Sequence, residues 1–191
     1  LNPVSSPGAG KTTLLEATIS AINDELDIAV IEGDQMTAND ANRIREAGAK
    51  ALQINTGAGC HLEADMISSA VKTLNPAAGS ILFIENVGNL VCPAMFDLGE
   101  HMKVAIISTT EGEDKPLKYP HMFRASDLVI VNKMDLAPHV DFDEEACLAN
   151  IKAVNPDAQV LLLSAKANQG MDQWLAFLTS AVNAPSIRAV R

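Results

Sequence analysis

The stretch "SSPGAGKTT" (residues 5–13) decides the fold of this 191-residue chain. It follows the phosphate-loop pattern G-x-x-x-x-G-K-[ST], except that Ser5 replaces the first glycine. Glycines 8 and 10 allow backbone N–H groups to turn toward phosphate oxygens, and the helix expected to follow directs its positive end at the same anion. We expect Lys11 to reach the β- and γ-phosphates and the Thr12 hydroxyl to ligate Mg²⁺. The predicted phosphate-binding residues are Ser6, Gly8, Ala9, Gly10, Lys11, Thr12 and Thr13.

The composition excludes several classes of protein. Apolar residues make up 48% and charged residues 20%, so the chain is expected to fold. A net charge of -10 opposes binding to nucleic acid or to an anionic membrane, so neither is an expected partner. No apolar run approaches the roughly 18 residues that span a bilayer. Three cysteines are too few for a disulfide framework and predict a reducing, cytoplasmic location.

Short runs rich in Val, Ile and Leu alternate with amphipathic segments, which predicts strands buried on both faces and helices between them. The expected strands are 27–32, 49–54, 80–85, 103–108, 127–132 and 159–164. The expected helices are 11–23, 40–47, 61–74, 142–154 and 171–182. This alternation indicates an α/β fold with a doubly wound, mostly parallel sheet flanked by helices and ligands at the carboxyl ends of the strands. We expect one nucleotide-binding domain over residues 1–191. Because only "LNPV" precedes the phosphate loop, a natural segment upstream of residue 1 is also expected.

The motif "NKMD" (132–135) follows a predicted strand and indicates which base is bound. A carboxylate at Asp135 can accept hydrogen bonds from the N1–H and the exocyclic amine of guanine, whereas adenine would leave it desolvated and unpaired. The Ala165 N–H, in "SAK" (164–166), is expected to approach the guanine oxygen. The predicted ligand is therefore GTP or GDP. The predicted base-site residues are Asn132, Lys133, Asp135, Ser164, Ala165 and Lys166.

Two loops are expected to sense the γ-phosphate. Asp34 follows the second predicted strand and is expected to hold Mg²⁺ directly or through water. Gly88, in "ENVGNL" (85–90), is placed to offer its N–H to the γ-phosphate. Together with Lys11 and the unusual Glu85, these residues form the predicted catalytic set, since phosphoryl transfer is mostly positioning and electrostatics. Arg43 and Arg45 are expected to be solvated on a helix, and without an arginine finger slow turnover is expected.

The stretch "TGAGCHLEADM" (56–66) sets a cysteine beside a histidine. We expect Cys60 and His61 at the start of a helix, where the dipole favours a thiolate, with Cys92 as a further metal ligand. A ligand at Cys92, four residues after Gly88, would link nucleotide state to metal affinity. The residues alone leave open that both cysteines are buried apolar residues and that His61 is solvated. Cys147 is expected to be structural, and the three other histidines are expected at the surface.

Several segments together resemble the HypB family of hydrogenase nickel-incorporation GTPases. They are "VSSPGAGKTTLL", "GDQMTANDANRI", "GAGCHLEADMI", "LFIENVGNLVCPAMFDLGE", "NKMDL" and "SAKANQGMDQWL". The resemblance implies that Cys60, His61 and Cys92 bind nickel or zinc at the interface of a GTP-favoured homodimer. It also implies delivery of nickel to the large subunit of [NiFe]-hydrogenase with another accessory protein. Asp65 stands where some relatives carry a second histidine.

The main prediction is a cytoplasmic GTPase that acts as a metallochaperone. One alternative is a regulatory GTPase switch that gates a protein partner, with structural cysteines. Another is a small-molecule kinase, which accounts for the phosphate loop but leaves "NKMD" unexplained.

Overall fold

The computed structural model describes residues 1–34, 39–57 and 59–183. Parallel strands form the central layer, and their bounds are β1 Asn2–Ser5, β2 Ile28–Asp34, β3 Lys50–Asn55, β4 Ile81–Glu85, β5 Lys103–Ser108, β6 Leu128–Asn132 and β7 Gln159–Leu162. The α-helices are α1 Lys11–Ile22, α2 Asn39–Glu46, α3 Ala64–Leu74, α4 Lys115–Lys118, α5 Pro120–Ala125, α6 Glu144–Val154 and α7 Met171–Asn183. Short 3₁₀ helices span Cys92–Met95, Thr109–Glu111 and Met134–His139.

Strand β1 lies at the centre of the sheet, between β4 and β5. Two ladders, β3-β2-β4 and β1-β5-β6-β7, meet there. Leu1 O accepts the Ile84 N–H at 2.8 Å, and Pro3 O accepts the Asn86 N–H at 3.4 Å. Since β2 to β4 lie on one side of β1 and β5 to β7 on the other, the phosphate loop leaves β1 where the strand order reverses, the usual ligand position in such sheets.

Apolar side chains cover both faces of the sheet. Helices α1, α2 and α7 pack on one face, with Leu15, Ile44 and Trp174 in its core. Helices α3, α5 and α6 cover the other face, where Phe123 is fully buried. The buried Trp174 indole donates to Thr18 Oγ1 at 2.8 Å, which joins α7 to α1 behind the phosphate loop. No helix among the described residues is long and apolar enough to cross a membrane.

The predicted fold class is confirmed, and the predicted strands differ from the observed ones by no more than two residues at either end. The prediction that all strands are buried on both faces is wrong for β3 and β7, which are edge strands with partly exposed residues. Helices α4 and α5 were not predicted, because Pro116 and Pro120 in their first turns interrupt the apolar pattern. The helix predicted over 61–74 begins only at Ala64.

Candidate nucleotide and metal site

A cleft of about 550 Å³ opens at the carboxyl ends of the central strands, above the phosphate loop. Lys11 Nζ lies 3.4 Å from Glu85 Oε1 and also donates to the Asn86 carbonyl. The Thr12 hydroxyl donates to Glu85 Oε1 at 2.7 Å. The phosphate-loop lysine and hydroxyl therefore both point into the cleft and contact the loop that follows β4.

The backbone at Gly10 requires glycine. Its φ is +96°, and a Cβ there would lie 2.5 Å from Asn132 Nδ2. The Asn132 amide donates to Ala9 O at 2.9 Å, and Lys133 Nζ donates to Gly8 O at 2.7 Å. The end of β6 is thus tied directly to the phosphate loop.

The predicted base-site residues come together beside this junction. Asp135 Oδ1 accepts the Ser164 hydroxyl at 2.5 Å, which orients the carboxylate expected to select guanine. The Ala165 N–H, predicted to approach the guanine oxygen, instead donates to Asn132 Oδ1 at 3.1 Å. Lys166 is exposed at the edge of the site. The structure therefore brings "NKMD" and "SAK" together, with Ala165 engaged by the protein itself.

Two buried carboxylates lie side by side at the carboxyl ends of β2 and β4 and line the cleft. Glu32 and Glu85 occupy paired positions on β2 and β4, and both are at least 97% buried. Among the described residues, no hydrogen-bond donor reaches Glu32 Oε2 or Glu85 Oε2. Burial, and then the charges of Glu85 and Asp34, raise the pKa of Glu32 to about 8. Asp34, at the end of β2, also lines the cleft.

Arg43 is not simply solvated, as had been expected. It lines the cleft and contacts both Glu16 oxygens, at 2.9 and 2.5 Å, as well as Asp40 at 3.1 Å and Thr13 Oγ1 at 3.3 Å. Hydrogen bonding to Glu16 raises the pKa of Arg43 further. Two carboxylates therefore balance its charge. Arg45 is exposed, as predicted.

Cys60, His61 and Cys92 form a cluster of possible metal ligands on the loops that follow β3 and β4. Cys60 Sγ lies 2.8 Å from Cys92 Sγ and 3.6 Å from His61 Nδ1, and the three ligand atoms lie within 4.8 Å of one another. The His61 ring stacks on Phe96 with centroids 3.8 Å apart. The imidazole is thus held so that Nδ1 faces the Cys60 sulfur.

The two thiols of the cluster are not equivalent. The hydrogen bond that Cys60 donates to Cys92 raises the pKa of Cys60. The same bond, followed by a hydrogen bond from the Asn89 side chain, lowers the pKa of Cys92. Cys92 is therefore the thiol that ionises first, which favours metal binding. The predicted cause is wrong, however, because α3 begins at Ala64 and neither Cys60 nor His61 lies at its first turn.

The remaining cysteine and histidines lie where the sequence predicted. Cys147 is 1% exposed on α6 and packs in the core, and burial raises the pKa of its thiol to about 11. His101, His121 and His139 are all exposed.

Sequence reasoning missed Glu32, Asn86 and Asn89. Glu32 is the last residue of the apolar run 27–32 and was read only as part of a strand. A carboxylate in a buried strand is costly, so its presence there already indicates a functional role. Asn86 Oδ1 accepts the Leu62 N–H at 3.4 Å, and Asn89 Nδ2 donates to Cys60 O at 3.2 Å. These contacts cross between distant loops, so the local pattern held no sign of them.

A phosphate loop that leaves the central strand of a parallel sheet, beside the carboxylate expected to select the base, is typical of a phosphate-loop nucleotide-binding protein. Residues 4–162 match the family model described as CobW/HypB/UreG, nucleotide-binding domain. The chain therefore belongs to this family.

Individual relatives agree with the predicted resemblance to HypB. The hydrogenase maturation factor HypB of Rhizobium leguminosarum bv. viciae is 60% identical over 99% of this chain and 63% of its own length. HypB of Archaeoglobus fulgidus superposes with a TM-score of 0.88 at 41% identity, covering 95% of this chain and 89% of that one. HypB of Helicobacter pylori in complex with nickel superposes with a TM-score of 0.88 at 39% identity, covering 98% of this chain and 89% of that one. The chain thus spans under two thirds of the Rhizobium relative.

Proposed function

We propose that this chain is the GTP-hydrolysing domain of a metallochaperone that binds nickel and delivers it during [NiFe]-hydrogenase maturation. The observation that carries the proposal is the position of the cluster Cys60, His61 and Cys92. One of its thiols belongs to the chain segment that leaves β4, and the first residues of that segment, Asn86 to Gly88, line the nucleotide cleft. A metal ligand in that segment can respond to the nucleotide.

The nucleotide is GTP, selected by Asp135. Its carboxylate is held by the Ser164 hydroxyl, so the orientation needed for guanine is set before the base binds. Lys11 and the Gly88 N–H would stabilise charge on the γ-phosphate during hydrolysis. Arg43 is occupied by Glu16 and Asp40, which supports slow turnover without an arginine finger from within the chain.

The acidic side of the cleft fits Mg²⁺. The Thr12 hydroxyl and the Asp34 carboxylate are the proposed ligands, and the unpaired Oε2 atoms of Glu32 and Glu85 can accept hydrogen bonds from its water molecules. When bound, the ion neutralises phosphate charge. Thr12 and Glu85, already 2.7 Å apart, keep the hydroxyl oriented toward this position.

Two thiols and an imidazole suit either nickel or zinc. Nickel is supported by the nickel-bound Helicobacter relative and by the hydrogenase maturation role in the names of the relatives.

We propose that a GTP-favoured homodimer forms across the face that carries Cys92, because Val91 and Met95 expose 55% and 74% of their surface beside it. Transfer to the hydrogenase large subunit would involve another accessory protein. A reducing cytoplasm would keep the three cysteines free.

The experiment is a Ni²⁺ titration of metal-stripped protein with GDP and with a non-hydrolysable GTP analogue. We expect one high-affinity site whose dissociation constant differs between the two nucleotides. The Cys147→Ala variant, which removes a thiol remote from the cluster, should behave like the wild type. Nickel binding in neither state would refute the chaperone function and leave the regulatory switch as the alternative. GTP hydrolysis is followed separately by phosphate release, and no release above the uncatalysed rate would refute the enzymatic part.

A further inference from the structure

Asn89 bridges the two loops that carry the thiols. Its Nδ2 donates to the Cys60 carbonyl at 3.2 Å, and its Oδ1 accepts the Val91 N–H at 2.8 Å. The second bond fixes the turn leading to Cys92, while the first reaches across to the loop after β3. One side chain therefore contacts both halves of the cluster.

The neighbours of Asn89 connect it to the phosphate loop. Gly88 lies so close to that loop that a Cβ there would be 3.1 Å from Pro7 Cγ and 3.3 Å from Pro7 N. On the other side, Leu90 is 4% exposed and is anchored in the core with Val4. A shift of Gly88 toward a γ-phosphate must therefore be taken up largely at Asn89, because Leu90 is held.

The spacing of the two sulfurs gives such a shift a chemical effect. Cys60 Sγ and Cys92 Sγ are 2.8 Å apart. Two thiolates that share one metal ion lie about 3.1–3.8 Å apart, whether the geometry is square-planar with adjacent sulfurs or tetrahedral. The two sulfurs must therefore move apart by up to about 1 Å to hold an ion, through rotation of the cysteine side chains, through separation of the two loops, or through both. The hydrogen bond from Asn89 to Cys60 O spans this gap and limits the separation.

We propose that Asn89 is a positioning residue that sets the distance between Cys60 and Cys92 according to the position of Gly88. Asn89 thereby transmits the presence of the γ-phosphate to nickel affinity. The inference rests on the proposed function, since it requires that the cluster bind nickel and that Gly88 contact the γ-phosphate.

Asn86 makes a second connection between the phosphate loop and the loop of Cys60 and His61. Lys11 donates to Asn86 O, and Asn86 Oδ1 accepts the Leu62 N–H.

Two variants and one control test the assignment. Asn89→Ala removes every hydrogen bond of this side chain, whereas Asn89→Asp keeps the acceptor for the Val91 N–H and loses the donors to Cys60 O and to Cys92. Asn89→Asp therefore preserves the turn. Asn150→Ala is the matched control, because Asn150 also donates to a backbone carbonyl, that of Glu113, but far from the cleft. Ni²⁺ dissociation constants are measured with GDP and with the non-hydrolysable GTP analogue. The thiolate-to-nickel charge-transfer absorption is recorded in both states.

In the wild type we expect the two dissociation constants to differ by about tenfold or more, which is within the usual range of coupling between two binding sites. Both Asn89 variants should bring the ratio to within about twofold of one, with the same absorption band in both states and unchanged GTP affinity. Asn150→Ala should keep the wild-type ratio. If the Asn89 variants keep that ratio, the assignment is wrong and the proposed function stands. If the wild type itself shows a ratio of one, nucleotide–metal coupling fails and the role of Asn89 fails with it.

Discussion

Cys60 Sγ and Cys92 Sγ lie 2.8 Å apart although 32 positions separate them in the chain. Cys60 belongs to the loop after β3, and Cys92 begins a 3₁₀ helix after β4. Strands β3 and β4 both pair with β2, so their carboxyl-terminal loops meet over the end of β2. Gly33 on β2 leaves room there, because a Cβ at this position would lie 2.8 Å from the Leu62 side chain. The strand order therefore creates the cluster.

Replacing Cys92 with alanine should lower Ni²⁺ affinity by at least about 100-fold, because one of two thiolate ligands is lost. GTP affinity should stay within about twofold of the wild type, since the Cys92 side chain does not line the cleft. Calorimetric titration with each ligand measures both. Cys147→Ala should leave both affinities unchanged and lower the free energy of unfolding by about 1 kcal/mol. A collapse of GTP binding in Cys92→Ala would mean that Cys92 supports the fold of the loop.

Asp135→Asn should change the preferred base. An amide at this position can no longer accept both guanine donors, whereas it can donate to the extra carbonyl of xanthine. We expect GTP affinity to fall about 100-fold and xanthosine triphosphate to bind more tightly than GTP. Competition binding with a fluorescent nucleotide measures the preference. Asp172→Asn, an exposed position on α7, is the control. Unchanged GTP affinity in Asp135→Asn would remove this residue from the base site.

Alanine substitutions at two glycines separate backbone strain from a steric clash. Gly10 and Gly79 both have positive φ, +96° and +81°, so alanine costs about 1–2 kcal/mol at either. Only at Gly10 would the new Cβ meet the Asn132 side chain, whereas at Gly79 no described atom lies within 4 Å of it. Gly10→Ala should therefore lower GTP affinity more than about tenfold, and Gly79→Ala should leave it unchanged. Equal GTP affinity in both variants would show that the Gly10 contact is relieved without cost.

Glu32 should make stability depend on pH in the absence of Mg²⁺ and nucleotide. The pKa of Glu32 in the folded protein is about 8, above its ordinary value of 4.5. Between these values the folded protein keeps a proton that the unfolded chain releases, so the free energy of unfolding falls as pH rises. Below pH 4.5 this stabilisation is fully present, and above about pH 8 no more is lost.

The Glu32→Gln variant should lack this part of the pH dependence. Between pH 5 and pH 8 we expect the free energy of unfolding of the variant to rise by about 2 kcal/mol relative to that of the wild type. This is less than the full pKa shift of Glu32 would give, because water and side-chain relaxation screen the charge. Urea unfolding at the two pH values measures the difference. Glu145→Gln, on the exposed surface of α6, is the control. Equal slopes for wild type and Glu32→Gln would show that Glu32 is ionised throughout this range.

Local motifs predicted a large part of the molecule. The apolar strands and the glycines at positions 8 and 10, which have positive φ, depend on short stretches of chain, as do the residues proposed to bind phosphate and base. One local inference was wrong, the helix start at His61. The expectation of a solvated Arg43 was correct only in part, because its side chain is 42% exposed but also bonded to Glu16 and Asp40. The residues before Ala64 form the turn that presents Cys60 to Cys92, and Arg43 meets Glu16 only because α2 packs beside α1.

The order of motifs along the chain determined the fold class, the nucleotide cleft and the family. The pairing of parallel strands decided the rest. It sets Glu32 opposite Glu85, it ties Asn132 to the phosphate loop 123 positions away, and it brings the loops of Cys60 and Cys92 together. These contacts join residues far apart in the chain, and their closeness follows from strand order and register rather than from any local pattern. The chain sequence therefore predicts the parts of the site, and the tertiary structure sets the distances at which they act on one another.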